Sequence, residues 1–560
     1  MSMMKRIFAL LLTVAMLVSV LTACNKPQTP DQTTETTTPD PNPLPNPPET
    51  PAKKITSVKI SSGESPIENF AATELKWYLA KRNIPLAEDG YHISFIIDER
   101  VTEGGYRITA DENSLTVMGG DNRGLAYGLY GFLEKFIGVH FYSPETTAID
   151  DGDLMIGGGV LEVFDPAFDI LRNPWAPIEN LPQKDGGNDE AATGITKTIA
   201  LTTVAGTGNI KPCLTDPKIF TKAVQNIQNY LSAVPDIDII SFTPKTDYDL
   251  YCTCENCARV HEEEGSPAGN YVRFLNKLYE EISVDYPNLQ FELVIRAYLV
   301  TAPTVTKPVD GISIRFNTAS CHISHPLNDT TCPEAASFAE KVRNWGSICD
   351  NVRVEYALTS TTDFIPVFAN LGAMRENMRF FAECGVDSIF FSGNIVCPTG
   401  EFGELRVYLA SKLAQDPLMS EEEYYGYMDS FLKAFYGEGW EYIRKFIDKI
   451  IELSADGHQM VDGSPFDAIT KDEYLANEAT FDEWWNKAEE LAGDRIDFVK
   501  RGRYQWRYIK LCLHPNATDA QALITDAASN PRVGWRDKQW NVDTASSNLD
   551  LAPTEWIYKS

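Results

Sequence analysis

The feature that most constrains this chain is an alternation that sets in after Phe164: short apolar runs of strand length, each followed by a stretch of helical periodicity. Residues 168–171, 237–242, 291–298, 312–316, 352–356 and 388–391 read as strands. Between them lie helices such as 271–282, where Tyr271, Phe274, Leu275, Leu278 and Ile282 share one face. Parallel neighbours need a crossover, so repeated strand-then-helix units imply a parallel sheet covered by helices. No glycine-rich phosphate or dinucleotide loop follows any of these strands, which removes the commonest open-sheet arrangements. The number of units favours an α/β fold of the (β/α)8 TIM-like barrel type over residues 160–420.

The flanks read differently. Residues 55–150 mix a strand at 55–60, a helical face carrying Ala71, Leu75, Tyr78 and Leu79, strands at 93–97, 106–110 and 115–118, and a second helix over 123–136 after Gly119-Gly120. That is a small α+β domain. Over 421–560 the strands stop, and Tyr424, Met428, Phe431 and Phe435, then Ile443, Phe446, Ile447 and Ile450, mark a helical region. With 43% hydrophobic residues in 560, the chain has apolar material for several cores.

The first 24 residues read as a processing signal. Lys5 and Arg6 precede an apolar run over 7–20, and Leu21-Thr22-Ala23-Cys24 reads as a lipobox whose cysteine carries the lipid. The run is shorter than the roughly 20 residues that span a bilayer. Residues 25–54 are rich in Pro, Thr, Asn and Gln, too polar to bury a core, and read as an extended tether. The expected location is the outer face of a membrane, held through the lipid anchor only. A formal net charge of −30 with no compensating basic stretch argues against nucleic acid as a partner.

In a β/α barrel the reactive groups stand just after each strand, because those loops converge on one mouth. Here they are Arg172, Asn173 and Trp175; Asp247; Arg296 and Tyr298; Asn317; Glu355 and Tyr356; and Ser392 to Asn394, followed by Glu401, Glu404 and Arg406. Carboxylates, aromatic rings, amides and guanidinium groups are what a sugar site needs: rings stack on C–H faces, amides and Arg hold hydroxyls, and two acids manage proton transfer. Asp247 and Glu355 are the candidate catalytic pair. Each also has a bland reading as a solvated or ion-paired acid, and Glu401 and Glu404, near a helix start, offset a helix dipole equally well.

Cys252, Cys254 and Cys257, with His261 four residues on, make the densest cluster of metal-ligand types. Their spacing suits a structural zinc, while an exported chain equally favours a disulfide within the cluster or to Cys213. No cofactor is required for the chemistry proposed. His322 and His325, beside Cys321, are candidates for holding substrate or a metal.

Two stretches carry a family resemblance. The run Asp121-Asn122-Arg123-Gly124-Leu125-Ala126-Tyr127-Gly128-Leu129-Tyr130-Gly131-Phe132-Leu133-Glu134, with Gly138-Val139 and Tyr142-Ser143-Pro144, resembles the accessory N-terminal domain of β-hexosaminidases and α-glucuronidases. The segment from Asp247 through the three cysteines, Glu264-Gly265-Ser266-Pro267, His325-Pro326-Leu327, Glu355-Tyr356 and Glu401-Phe402-Gly403-Glu404-Leu405-Arg406 resembles an uncharacterised bacterial surface family with a glycosidase-like barrel. The resemblance implies carbohydrate as the partner and glycoside hydrolysis as the activity, without naming a sugar or linkage. The resemblance implies Glu-Gln-Gly at the end of the strand before Gly393, where this chain has Phe391-Ser392-Gly393. That departure leaves a second expectation beside the first: a lipoprotein that binds glycan on the same barrel without cleaving it.

Overall fold

The structure is a computed structural model that describes residues 44, 46–61, 63–143, 145–167, 170–172, 196–200, 211–233, 237, 239–244, 251–360, 365–393, 402–529, 536–537 and 542–543. It divides into two compact units, one from residues up to Phe132 plus Asp153–Phe164, the other from Leu133–Gly152 plus Asp165 onward.

The first unit is a six-stranded sheet. Its strands are β1 (Thr50–Lys54), β2 (Val58–Ile60), β3 (Tyr91–Ile97), β4 (Tyr106–Ala110), β5 (Ser114–Gly119) and β8 (Met155–Phe164), in the order β1-β8-β4-β5-β3-β2. Two helices pack on it, α1 (Pro66–Lys81) and α2 (Asn122–Phe132). Ser65 starts α1 with a capping box: its hydroxyl accepts from the Glu68 amide while the Glu68 carboxylate accepts from the Ser65 amide. Ala71, Leu75, Tyr78 and Leu79 on the α1 face are all buried. Gly124 lets α2 approach the sheet, since a Cβ there would lie 2.1 Å from the Gly105 carbonyl oxygen.

Two boundaries differ from the sequence reading. Thr50–Lys54, assigned by composition to the tether, pairs antiparallel with β8. Apolar periodicity could not find this strand, because all five of its residues are exposed and it is held by backbone pairing together with polar contacts, such as the Gly158 amide donating to Thr50 Oγ1 and the Lys54–Asp153 ion pair. The helix expected over 123–136 ends at Phe132, and Leu133–Ile137 continues it as a wider π turn. That turn leads into a hairpin, β6 (Val139–Ser143) with β7 (Thr146–Ile149), which belongs to the second unit.

The second unit is mixed α/β, built on seven parallel strands. These are β9 (Ile170–Arg172), β10 (Thr196–Ala200), β11 (Ile239–Thr243), β12 (Gln290–Ile295), β13 (Ile312–Asn317), β14 (Val352–Ala357) and β15 (Val386–Ser392), in the order β10-β11-β12-β13-β14-β15-β9. The order is cyclic: the first strand pairs with the last. Among the described residues β9 and β10 do not pair, so they show seven strands with an open seam and not the closed ring of eight expected from the sequence.

Helices cover the outer face: α3 (Pro217–Ala233), α4 (Glu255–Glu264), α5 (Ala268–Ile282), α6 (Pro333–Gly346) and α7 (Met374–Glu383). Ile240, Phe242, Phe291, Leu293, Ile314, Phe316, Val352, Val354 and Ile389 point outward and share one core with α3, α5, α6 and α7. A C-terminal layer follows: α8 (Gly403–Gln415), α9 (Glu421–Tyr436), α10 (Trp440–Ser454), α11 (Lys471–Leu491), α12 (Ile496–Leu513) and α13 (Ala517–Ser529). Ser420 and Thr470 start α9 and α11 with capping boxes. Among the described residues no helix is long and apolar enough to cross a membrane.

Candidate functional site

Strand alternation sends one side-chain set to the helices and the other to the opposite face of the sheet. In a fully covered parallel sheet both sets are ordinarily apolar. Here the second set is largely polar, although it includes Ile239 and Val294. Ser241 on β11, Glu292 on β12, Arg315 on β13, and Arg353 and Glu355 on β14 form a hydrogen-bonded lattice. Ser241 Oγ donates to Glu292 Oε1 at 2.7 Å, and Arg315 Nε donates to the same oxygen at 2.9 Å. Arg315 Nη1 donates to Glu355 Oε2 at 2.8 Å, while Arg353 Nη2 donates to Gln290 Oε1 at 2.9 Å. Glu292 is buried, which is tolerable for a carboxylate only because two guanidinium groups and a hydroxyl surround it.

Glu355 is the partly exposed end of this lattice, directly across from Asn317 in the parallel register. Arg296 follows β12 and donates to Thr243 Oγ1. Burial lowers its guanidinium pKa; Arg315 adds to that and Glu355 opposes it. A cavity of about 430 Å³ is lined by Arg296, Asn317, Ser320, His322 and Glu334 among others. It therefore gathers residues that follow β12 and β13. A larger cavity, about 920 Å³, lies in the helical layer around Arg501, Tyr504 and Arg507, and none of its lining residues follows a strand of the parallel sheet.

The remaining sequence candidates fall in three groups. Trp175, Asp247, Asn394 and Glu401 lie outside the described residues, as does Cys24. Tyr298 sits in a 3-10 turn after β12, its hydroxyl 2.8 Å from that of Tyr271 and its ring 5.1 Å from that of Tyr251. Tyr356, Glu404 and Arg406 are buried. The Tyr356 hydroxyl accepts from Asn377 on the helix side of the sheet, and Arg406 donates to Asn370 Oδ1 at 2.7 Å and to the Phe368 carbonyl. Tyr356 and Arg406 thus make buried hydrogen bonds that hold neighbouring helices and loops in place.

The cysteine cluster gains a fourth member. Cys213, just before α3, lies with Cys252, Cys254 and Cys257 so that all four sulfurs are within 4.8 Å of one another. Cys213 Sγ is 3.7 Å from that of Cys254 and 3.8 Å from that of Cys257, and all four are free thiols. A tetrahedral zinc with Zn–S bonds of about 2.3 Å sets its sulfurs about 3.8 Å apart, whereas a disulfide needs about 2.05 Å. The arrangement fits the metal. A hydrogen bond from the Cys257 backbone brings the Cys254 thiol down to about 6, while burial pushes Cys257 up to about 12.

His322 and His325 are joined by two residues that the sequence reading did not associate with them, Cys332 and His458; the ligand atoms of all four lie within 4.8 Å of one another. The His322 and His458 rings stack at 4.6 Å, nearly parallel. Burial, then the neighbouring His458 and His325, hold His322 below the usual imidazole range. His458 sits alone in a loop after α10 with no motif around it, and its only signal in the sequence is that histidine is scarce, at 7 residues in 560.

Residues 200–448 match a domain of unknown function, DUF4838. No curated protein matches the sequence. Solved structures with a similar course of the chain include a family GH115 4-O-methyl-α-glucuronidase with specificity for decorated arabinogalactans, at 12% identity and TM-score 0.47, covering 86% of this chain and 75% of that one. A GH138 enzyme targeting pectin rhamnogalacturonan II is similar at 9% identity and TM-score 0.38, covering 84% and 90%. The GH20 β-N-acetylhexosaminidase from Streptomyces coelicolor A3(2) is similar at 13% identity and TM-score 0.38, covering 71% and 95%.

Proposed function

We propose that the parallel-sheet unit binds a glycan at its strand ends and hydrolyses a glycosidic bond, with Glu355 as one carboxylate and Asp247 as the other. The observation that carries this reading is Glu355 itself: an inward carboxylate near the end of a parallel strand, beside Asn317 and with Arg296 on the neighbouring loop. Hydrolysis needs a second acid, and the Asp247–Glu355 separation sets the outcome: about 5 Å gives retention, and about 6.5–9.5 Å gives inversion.

One observation favours a second reading, binding without cleavage. Both inward carboxylates among the described strand residues, Glu292 and Glu355, are engaged by Arg315. A carboxylate already receiving a guanidinium N–H has less freedom to serve a reacting sugar. The full chain, tested on chromogenic glycosides and a glycan array, separates the readings. Turnover abolished by both Asp247→Asn and Glu355→Gln supports hydrolysis, and glycan capture without turnover supports binding alone.

The same reading places a lipid on Cys24, with residues 25 onward displayed outside the membrane. Cys24→Ser would then release the chain from the membrane fraction. It also assigns a structural zinc to Cys213, Cys252, Cys254 and Cys257, with no open position for substrate. Such a zinc ties the start of α3 to the start of α4, on the loop downstream of Asp247.

A further inference from the structure

We propose that His322, His325, Cys332 and His458 form a second metal site, for a divalent cation of the zinc class, beside the strand-end cavity. Three of the seven histidines in the chain meet one cysteine there, although they come from separate segments: the loop after β13, the residue preceding α6, and the loop after α10. Imidazole and thiolate together suit zinc and its late first-row neighbours, and exclude the oxygen-seeking calcium and magnesium.

The backbone sets this convergence. His322 bridges to Met460 in antiparallel fashion, and the Ile323 amide donates to the Gln459 carbonyl at 2.8 Å. Ser324 Oγ donates to the Gly457 carbonyl, while the buried Gln459 side chain donates to Val367 O and accepts from the Ala369 amide, both at 3.2 Å. Two loops far apart in sequence are therefore zipped together immediately on either side of their histidines. The imidazoles do not meet through chance side-chain rotamers.

His325 supplies an independent observation. It is only 4% exposed. Its Nδ1 donates to the Pro326 carbonyl at 3.1 Å, because a carbonyl can only accept. In the neutral ring Nε2 then carries the lone pair, and this buried atom has no hydrogen-bond partner among the described residues. A buried polar atom left in that state is destabilising. An Nδ1–H bound to a backbone carbonyl with Nε2 presented inward is how metal-binding histidines are held in the correct tautomer.

Distances agree with a small coordination sphere. His322 Nδ1 lies 3.5 Å from Cys332 Sγ. With metal–nitrogen bonds of about 2.0–2.1 Å and a metal–sulfur bond of about 2.3 Å, a tetrahedral edge between those ligands spans about 3.5 Å. His322 also lines the 430 Å³ cavity, and His458 is exposed, so the site is reachable by a cation from solvent. Its occupation would fix the loop from Thr318 to Cys332 that forms one wall of that cavity, whatever ligand the cavity takes.

Cobalt loading of the metal-stripped full chain tests this apart from the cysteine cluster. In a Cys254→Ser background, which disables the four-thiol site, one equivalent of Co2+ should bind. It should show the weak near-ultraviolet thiolate-to-cobalt band of a single sulfur ligand, and Zn2+ should displace it. Adding His458→Ala, at an exposed position, should abolish that equivalent while leaving the circular-dichroism melting curve of the metal-free chain unchanged; His322→Ala should do the same. No cobalt bound in the Cys254→Ser protein, or cobalt retained after both histidine replacements, would overturn the proposal.

Discussion

Glu355 on β14 accepts a hydrogen bond from Arg315 on β13 at 2.8 Å, and the other side of that guanidinium reaches Glu292 on β12 at 2.9 Å. One arginine thus joins the buried interior of the sheet to its exposed end. A substitution at Arg315 should be felt in both places.

Replacing Arg315 by Met keeps the stem and removes the charge. Glu292, with a side chain only 1% exposed, then keeps Arg353 and Ser241 but loses its closest cation. Breaking a buried pair by removing one partner costs about 3–5 kcal/mol. We expect the urea midpoint to fall with little change in slope, whereas Arg315→Lys should recover part of the loss.

Glu264 at the end of α4 anchors the loop that precedes β13. Its carboxylate receives the backbone amides of Val305 and Thr306 at 3.2 and 2.9 Å, and Arg273 Nε at 2.5 Å. Burial pushes its pKa up, yet the Thr306 and Arg273 hydrogen bonds outweigh that and leave it below the ordinary 4.5. A carboxyl lowered in the folded state stabilises fully above the unfolded value and loses that contribution as pH falls through the folded one. Glu264→Gln should therefore cost about 2 kcal/mol at neutral pH. The gap from the parent should close as pH drops below about 4.5, measured by thermal unfolding across pH 3–7.

Metal removal should loosen the cysteine cluster. If the four thiols hold zinc, a thiol reagent should modify Cys213, Cys252, Cys254 and Cys257 only after chelation, and Cys213→Ser should lower zinc content by one equivalent and lower the melting temperature. Thiols that stay unreactive until a reductant is added would mean disulfides instead.

Gly124→Ala tests the close approach of α2 to the sheet. The new Cβ would meet the Gly105 carbonyl oxygen at 2.1 Å, a contact with backbone that no side-chain rotation relieves. Overpacking of this kind costs about 1–3 kcal/mol. Since the clash lies wholly in the first unit, its unfolding transition should shift and the cobalt-binding behaviour of the second should not.

Much of the second unit was legible. β11 to β15 were found within a few residues because their outward side chains are uniformly apolar. Thr196–Ala200 escaped, having only Ile199 and Ala200 as apolar residues in a polar stretch. β8 escaped because Gly157, Gly158 and Gly159 interrupt any alternation. The site was legible where residues adjoin strands, as with Glu355 and Arg296, and Cys252, Cys254 and Cys257 announced themselves by spacing. Cys213, Cys332 and His458 did not, since their partners are near in space and distant along the chain. The arginines that line the sheet's inner face were missed for another reason: a charged residue inside a strand reads as solvent-facing, and only the register shows that Arg315 and Arg353 face Glu292.

The cyclic strand order has a consequence for how the second unit assembles. β9 is the first of its parallel strands to be synthesised, yet its only strand partner among the described residues is β15, the last. It must wait for that partner until the rest of the sheet has been laid down. Contacts between such remote segments close slowly. A chain cut short before Val386 should accordingly keep a ribbon of β10 to β14 with β9 unpaired, and the last strand to arrive decides when the whole unit becomes cooperative.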